Sequence, residues 1–320
     1  MKHIQLSFCL IAALVLIPVI SSKSKWMQNG ITVAGGNGQG NCINQLNYPD
    51  SVCTVDDQNI YVADTFNHRI VQWKKDATIG QIMAGGQEAG NRNDQLNHPT
   101  NVLVDKKNDC LIICDSGNNR IVRWPRQNGT SGEIIMSNIY DCGMAMDNDG
   151  YLYISDVEKH EVRRWKIGET GGTLVEAGNG QGNRLEQINR PYNIFVDQDQ
   201  SVYVSDFGNH RVVKWMKDAR DGVVVAGGQG PGSALKQLHN PRGIVVDEMG
   251  TVYVTDQANH RVVRWLKGAT EGSVVVGDNG QGTEANQLRN PWNLSFDRQN
   301  NLYVADHSNH RIQKFNIESN

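Results

Sequence analysis

Six aspartates are the first candidates for chemistry: Asp64, Asp115, Asp156, Asp206, Asp256 and Asp306, each followed four residues later by His68, Asn119, His160, His210, His260 or His310. Carboxylate beside imidazole is a donor set for a metal ion or for proton transfer. The spacing argues for another use. The Asp positions advance by 50 residues, except for one step of 51 and one of 41, so each pair belongs to its own copy of a repeat. A residue that every copy carries reads as scaffold. Five copies also place an arginine five residues after the Asp, at Arg69, Arg120, Arg211, Arg261 and Arg311. The expectation is that each Asp ends a strand before a tight turn and accepts the turn N–H groups.

Other constellations are weaker. Gly35 to Gly40, Gly178 to Gly182 and Asp278 to Gly282 are glycine-rich, but none precedes a helix pattern or the Gly-Lys-Ser/Thr of a phosphate loop. They read as linkers that turn the chain back toward the centre, with Leu46, Leu96, Leu238 and Leu288 buried after them. Asn128-Gly129-Thr130 is a glycan acceptor in a polar turn, whereas Asn293-Leu294-Ser295 opens an innermost strand. No Cys/His cluster has zinc spacing. Cys42, Cys53, Cys110, Cys114 and Cys142 cannot all pair within one chain. Cys110 and Cys114, four apart on a strand, stand ~13 Å from each other. Cys53 and Cys114 read as small buried residues.

The elements that must position these residues are short and β-branched. Each period holds four strand patterns, as in Pro241 to Asp247, Thr251 to Asp256, Arg261 to Trp265 and Gly272 to Val276, with turn residues between. A lone four-stranded sheet leaves both faces bare, and six arranged radially cover one another. The fold expected is an all-β, six-bladed β-propeller of four-stranded antiparallel blades. Six copies supply first, second and third strands, but only five fourth strands follow them. Ile31 to Gly35, ahead of the first copy, supplies the sixth, so the N-terminal strand closes the last blade.

Asn67-His68-Arg69, repeated at Asn209 to Arg211, Asn259 to Arg261 and Asn309 to Arg311, resembles the NHL repeat, over roughly residues 26 to 317. Copy two reads Asn118-Asn119-Arg120 and copy three Lys159-His160-Glu161. Copy three also lacks the glycine-rich linker and the proline, so blade three is expected to be the least regular. The resemblance implies an interaction platform. It also suggests two alternatives: a zinc lyase like the peptide-amidating propeller enzyme, and a recognition module like the NHL part of RING-type ubiquitin ligases. Here no innermost strand carries a zinc-ligating histidine, and no RING precedes the repeats.

Bulk properties narrow the partners. A formal charge of −3 with no long single-sign run gives no basic footprint for nucleic acid. Lys2-His3, an apolar run from Leu6 to Ile20 and the small Ser21-Ser22 have the layout of a signal peptide, giving residues 1–22 as leader and 23–320 as the propeller. A secreted monomer without cofactor, free of the membrane after cleavage, is expected.

Subtracting the scaffold leaves what varies. After the proline position come Asp50, Thr100, Cys142, Tyr192, Arg242 and Trp292, at one mouth of the channel. Loops on a rigid scaffold are where binding residues gather. Tyr192, Arg242 and Trp292 fall on consecutive blades as an aromatic–cation–aromatic arc, suited to protein, peptide or glycan, with Asp50, Phe66, Phe207 and His307 beside it. One place further in, Asn101, Asn193 and Asn293 are weak candidates for a cation, since no carboxylate stands among them.

Overall fold

A computed structural model describes residues 19–55, 59–169, 171–176 and 179–318. The leader up to Pro18, and Gly178, lie outside them. Six four-stranded antiparallel sheets form a ring. The first strands run Pro49–Thr54, Pro99–Asp105, Met144–Met146, Pro191–Val196, Pro241–Val246 and Pro291–Phe296, and each touches its neighbours around the centre. Ile31–Gly35 pairs antiparallel with Arg311–Phe315, matching Ile31 to Lys314 and Gly35 to Arg311. The two ends of the repeat array therefore share one sheet, as the strand count requires.

Residue types explain the packing. Each third strand carries a buried Ile or Val at its second position and an aromatic side chain at its fifth, Trp73, Trp124, Trp165, Trp215, Trp265 or Phe315. Each of these packs against the preceding blade, as Trp73 does with Tyr303 and Trp265 with Tyr203. Ile20 is 1% exposed in the same core cluster as Trp26 and Phe315, so a cut at Ser21 or Ser22 would remove a packed side chain. Among the described residues no helix is long and apolar enough to cross a membrane.

The repeated Asp does more than the local turn role expected of it. In five copies one carboxylate oxygen accepts the N–H of a residue in the preceding linker, from Asn47 to Asp64, Asn97 to Asp115, Asn189 to Asp206, His239 to Asp256 and Arg289 to Asp306, at 2.6–2.7 Å. The other oxygen takes the Arg Nε at 2.6–2.9 Å. The guanidinium of Arg69 continues outward to the carbonyls of Asn41, Cys42 and Gln45, and Arg120, Arg211 and Arg311 do the same with their own linkers. The motif is thus a clamp on the crossing chain, with Leu46, Leu96, Leu238 and Leu288 fully buried beneath it. Within their own turns these five aspartates accept from the Asn side chain three residues on, whereas Asp156 accepts the backbone N–H groups of Glu158 and Lys159.

The histidines staple neighbouring blades. His68, His160, His210, His260 and His310 each accept, at Nδ1, the N–H of the residue before the next innermost strand: His98, Arg190, Asn240, Asn290 and Tyr48. The last of these bonds runs from blade one to blade six and closes the ring a second time.

Blade three departs from this frame, as its sequence leads one to expect. Its innermost strand has three residues where the others have six or seven. Cys114 of blade two is bridged to Cys142 at the start of blade three. That corrects the reading of Cys114 as a small buried residue. Removal of the linker brings Cys142 within bonding reach of the second strand of blade two, a juxtaposition that only the topology reveals. Cys42, Cys53 and Cys110 are free thiols, and burial pushes Cys53 up to about 11 and Cys110 up to about 12.

Candidate binding site at the hub

The varied residues do meet. Arg242 leaves the innermost strand of blade five, and its guanidinium carbon lies 3.9 Å from the Tyr192 ring centre and 3.6 Å from that of Trp292. Phe207 flanks it at 5.0 Å, and Nε donates to Gln257 Oε1 at 3.0 Å. Planar guanidinium stacks well between aromatic faces, because their negative faces meet a weakly hydrated cation. Trp292 in turn stacks on His307, with ring centres 4.2 Å apart and planes 3° from parallel. His307 Nε2 approaches Asp50 Oδ1 at 3.2 Å.

That contact has the distance of an ion pair but not the charge. Burial, with Arg242 and His310 adding to it, pushes His307 down to about 3, so its imidazole is neutral at physiological pH. Burial also holds Asp50 well above the usual carboxylate range, against the opposing pull of Arg242. Neither Asp50 Oδ1 nor Trp292 Nε1, both buried atoms, has an aligned hydrogen-bond partner among the described residues.

Sequence reasoning missed Asp141. It lies across the hub from Arg242, beside Thr100 and Ser116, and burial raises its pKa while Arg242 lowers it. Its signal was present: in copy three an aspartate stands where the other five have proline. The reason given for doubting a cation site, the lack of carboxylates near Asn101, Asn193 and Asn293, therefore falls, since Asp50 and Asp141 line the same space. Even so, Asn101 Oδ1 is used by Ser51 and Asn193 Oδ1 by the N–H of Ile194. The space they line is small, ≈ 30 Å³, with the Arg242 charge at its edge. Among the described residues no three His, Cys, Asp or Glu side chains gather into a metal set.

The arc is also longer than the sequence implied. Tyr48 contacts Phe66, His307 and His310 at 4.5–5.2 Å between ring centres, and Phe66 continues to His98 at 5.0 Å. Rings and guanidinium thus run from His98 through Phe66, Tyr48, His307, Trp292, Arg242 and Tyr192 to Phe207. Arg242 and Asp50 are buried inside it, and Phe66, 50% exposed, presents the most open face. The mouth is therefore a filled hub with an aromatic rim, because Arg242 stacks between Tyr192 and Trp292 and His307 meets Asp50 across the narrow channel.

The sequence model of the NHL repeat matches residues 46–73, 238–265 and 288–315, three of the five clamp-bearing units. The chain is an NHL-repeat β-propeller. No curated protein matches it significantly. Solved structures similar to the propeller include a protein of unknown function from Bacteroides thetaiotaomicron, with TM-score 0.71 and 17% identity over 92% of this chain and 77% of that one. An auxiliary nutrient binding protein from the same organism gives TM-score 0.69 and 15% identity over 93% and 78%. A gluconolactonase from Xanthomonas campestris gives 0.62 and 12% over 94% and 97%. At these identities the likeness is one of fold.

Proposed function

We propose that the protein is a secreted, non-catalytic scaffold that binds a protein, peptide or glycan ligand on the aromatic rim of its hub. The observation that carries this reading is the Arg242 guanidinium stacked between Tyr192 and Trp292 at the centre of a ring run. Such a run offers flat apolar faces with a few fixed polar groups, a composition that suits the C–H face of a sugar or a proline or aromatic side chain. The reading agrees with the description of one structural neighbour as nutrient-binding. Residues 1–22 serve as the secretion signal, and Asn128, exposed in its turn, carries a glycan.

The test is a glycan and peptide array probed with the secreted protein and with Phe66→Ala, whose exposed ring can be removed without opening the core. A ligand retained by the wild type and weakened at least fivefold by Phe66→Ala supports the proposal. Ligands bound equally by both, or none at all, overturn it.

A further inference from the structure

Five of the six gaps between blades are filled from within the chain, and in one way. A glycine ahead of the outermost strand donates its N–H to a carbonyl of the crossing linker: Gly30 to Ala285, Gly80 to Ile43, Gly132 to Asn93, Gly222 to Leu185 and Gly272 to Leu235, at 2.7–2.9 Å. Three residues after each carbonyl, Leu288, Leu46, Leu96, Ile188 or Leu238 is fully buried between the blades. Blade three lacks this segment. Residues 138–143 alone join Glu133–Ser137 to Met144–Met146, whereas residues 36–48 make the crossing before blade one. Gly172 occupies the corresponding turn, and among the described residues no linker carbonyl reaches its N–H.

What remains is a groove of ≈ 820 Å³, floored by Ile134, Met136, Ile139, Ile154 and Trp165 and ending at Gly172. Its size is within the ~300–1,000 Å³ of ligand sites. Trp165 is 9% exposed, against 0–2% for its five counterparts. The clamp has changed sign as well: Glu161 stands where the other blades present arginine to linker carbonyls. The basic residues along the groove are spent on acidic neighbours, Arg123 on Glu133, Lys159 on Asp156 and Arg163 on Glu161. Glu169, on the same wall, makes no ion pair among the described residues. The uncompensated charge of the groove is negative.

We propose that this groove docks an extended peptide segment of a partner protein, one that places a backbone carbonyl against Gly172 N–H, a leucine or isoleucine three residues further on, and a lysine or arginine between them. The segment completes blade three as the linkers complete the other five. The chain's own Leu235-Lys236-Gln237-Leu238 has that pattern, so a peptide copying residues 228–240 is a suitable probe.

Fluorescence anisotropy of the labelled 228–240 peptide against the whole mature protein should show saturable binding. Ile134→Glu, a change at a 44% exposed side chain, should weaken it at least tenfold. Glutamate in place of the peptide lysine should weaken it at least threefold, and Phe66→Ala at the hub should leave it unchanged. No saturation up to about 1 mM peptide, where only ~4 kcal/mol of affinity is needed, would overturn the proposal, as would binding indifferent to Ile134→Glu. Self-association in sedimentation that Ile134→Glu abolishes would identify a second copy as the occupant and equally overturn it.

Discussion

The Trp292 indole and the His307 imidazole lie 3° from parallel with centres 4.2 Å apart, and the opposite side of the indole meets Arg242. Trp292 is therefore a wall of the hub rather than a free surface ring. Trp292→Ala should cost about 1–3 kcal/mol, the sum of one aromatic pair and one cation–π contact. Trp265→Ala, which empties a buried contact between blades, should cost about 3–5 kcal/mol. Urea unfolding of the two variants side by side checks the order.

Burial holds His68, His210, His260 and His310 below their ordinary value of 6.5, and each accepts a backbone N–H at Nδ1, which requires the neutral ring. Such a group takes up its proton more readily in the unfolded chain. Its contribution to stability is complete above about pH 6.5 and is lost as pH falls below that. The buried Asp64, Asp206, Asp256 and Asp306 are raised above 3.8 and act in the opposite sense, gaining stability as they protonate. Comparing slopes isolates the histidines: between pH 7 and pH 5, His260→Asn, the residue type that copy two carries at Asn119, should lose stability less steeply than the wild type. Parallel slopes would show that the staple does not titrate.

The Cys114–Cys142 bridge closes a sequence separation of 28 residues and ties blade two to the irregular blade three. Replacing both cysteines by serine should lower stability by about 2–4 kcal/mol. Hydrogen exchange should rise first in residues 140–156, because blade three has neither the Asp–Arg clamp nor a crossing linker to hold it otherwise.

The ring was legible in the spacing of the repeated Asp and Asn-His-Arg residues and in the surplus strand at Ile31, since β-branched runs and turn residues are local signals. Longer-range partners were not. Asp64 was read as a turn acceptor because Asn47, whose N–H it binds, lies 17 residues earlier and reaches it only after the linker folds back. The pairing of Cys114 with Cys142 depends on the deletion before blade three, which shows in sequence as a short period but not as a distance. The meeting of Tyr192, Arg242 and Trp292 followed from their shared register. That Arg242 would be buried between them could not, because burial depends on how narrow the channel is, and no single blade encodes that.

Ligand is proposed to bind along the rim that runs from Phe66 through Tyr48 and His307 to Trp292 and Arg242. Of the seven tryptophans, Trp292 alone lies at the hub, while Trp26 and the five repeat tryptophans sit in the packed layers. Titrating an array-selected ligand while recording intrinsic fluorescence is the direct measurement. A saturable change in the wild type that disappears in Trp292→Phe, with binding at least fivefold weaker in Phe66→Ala, is the result predicted. An identical fluorescence change in Trp292→Phe, with unaltered affinity in Phe66→Ala, would contradict it.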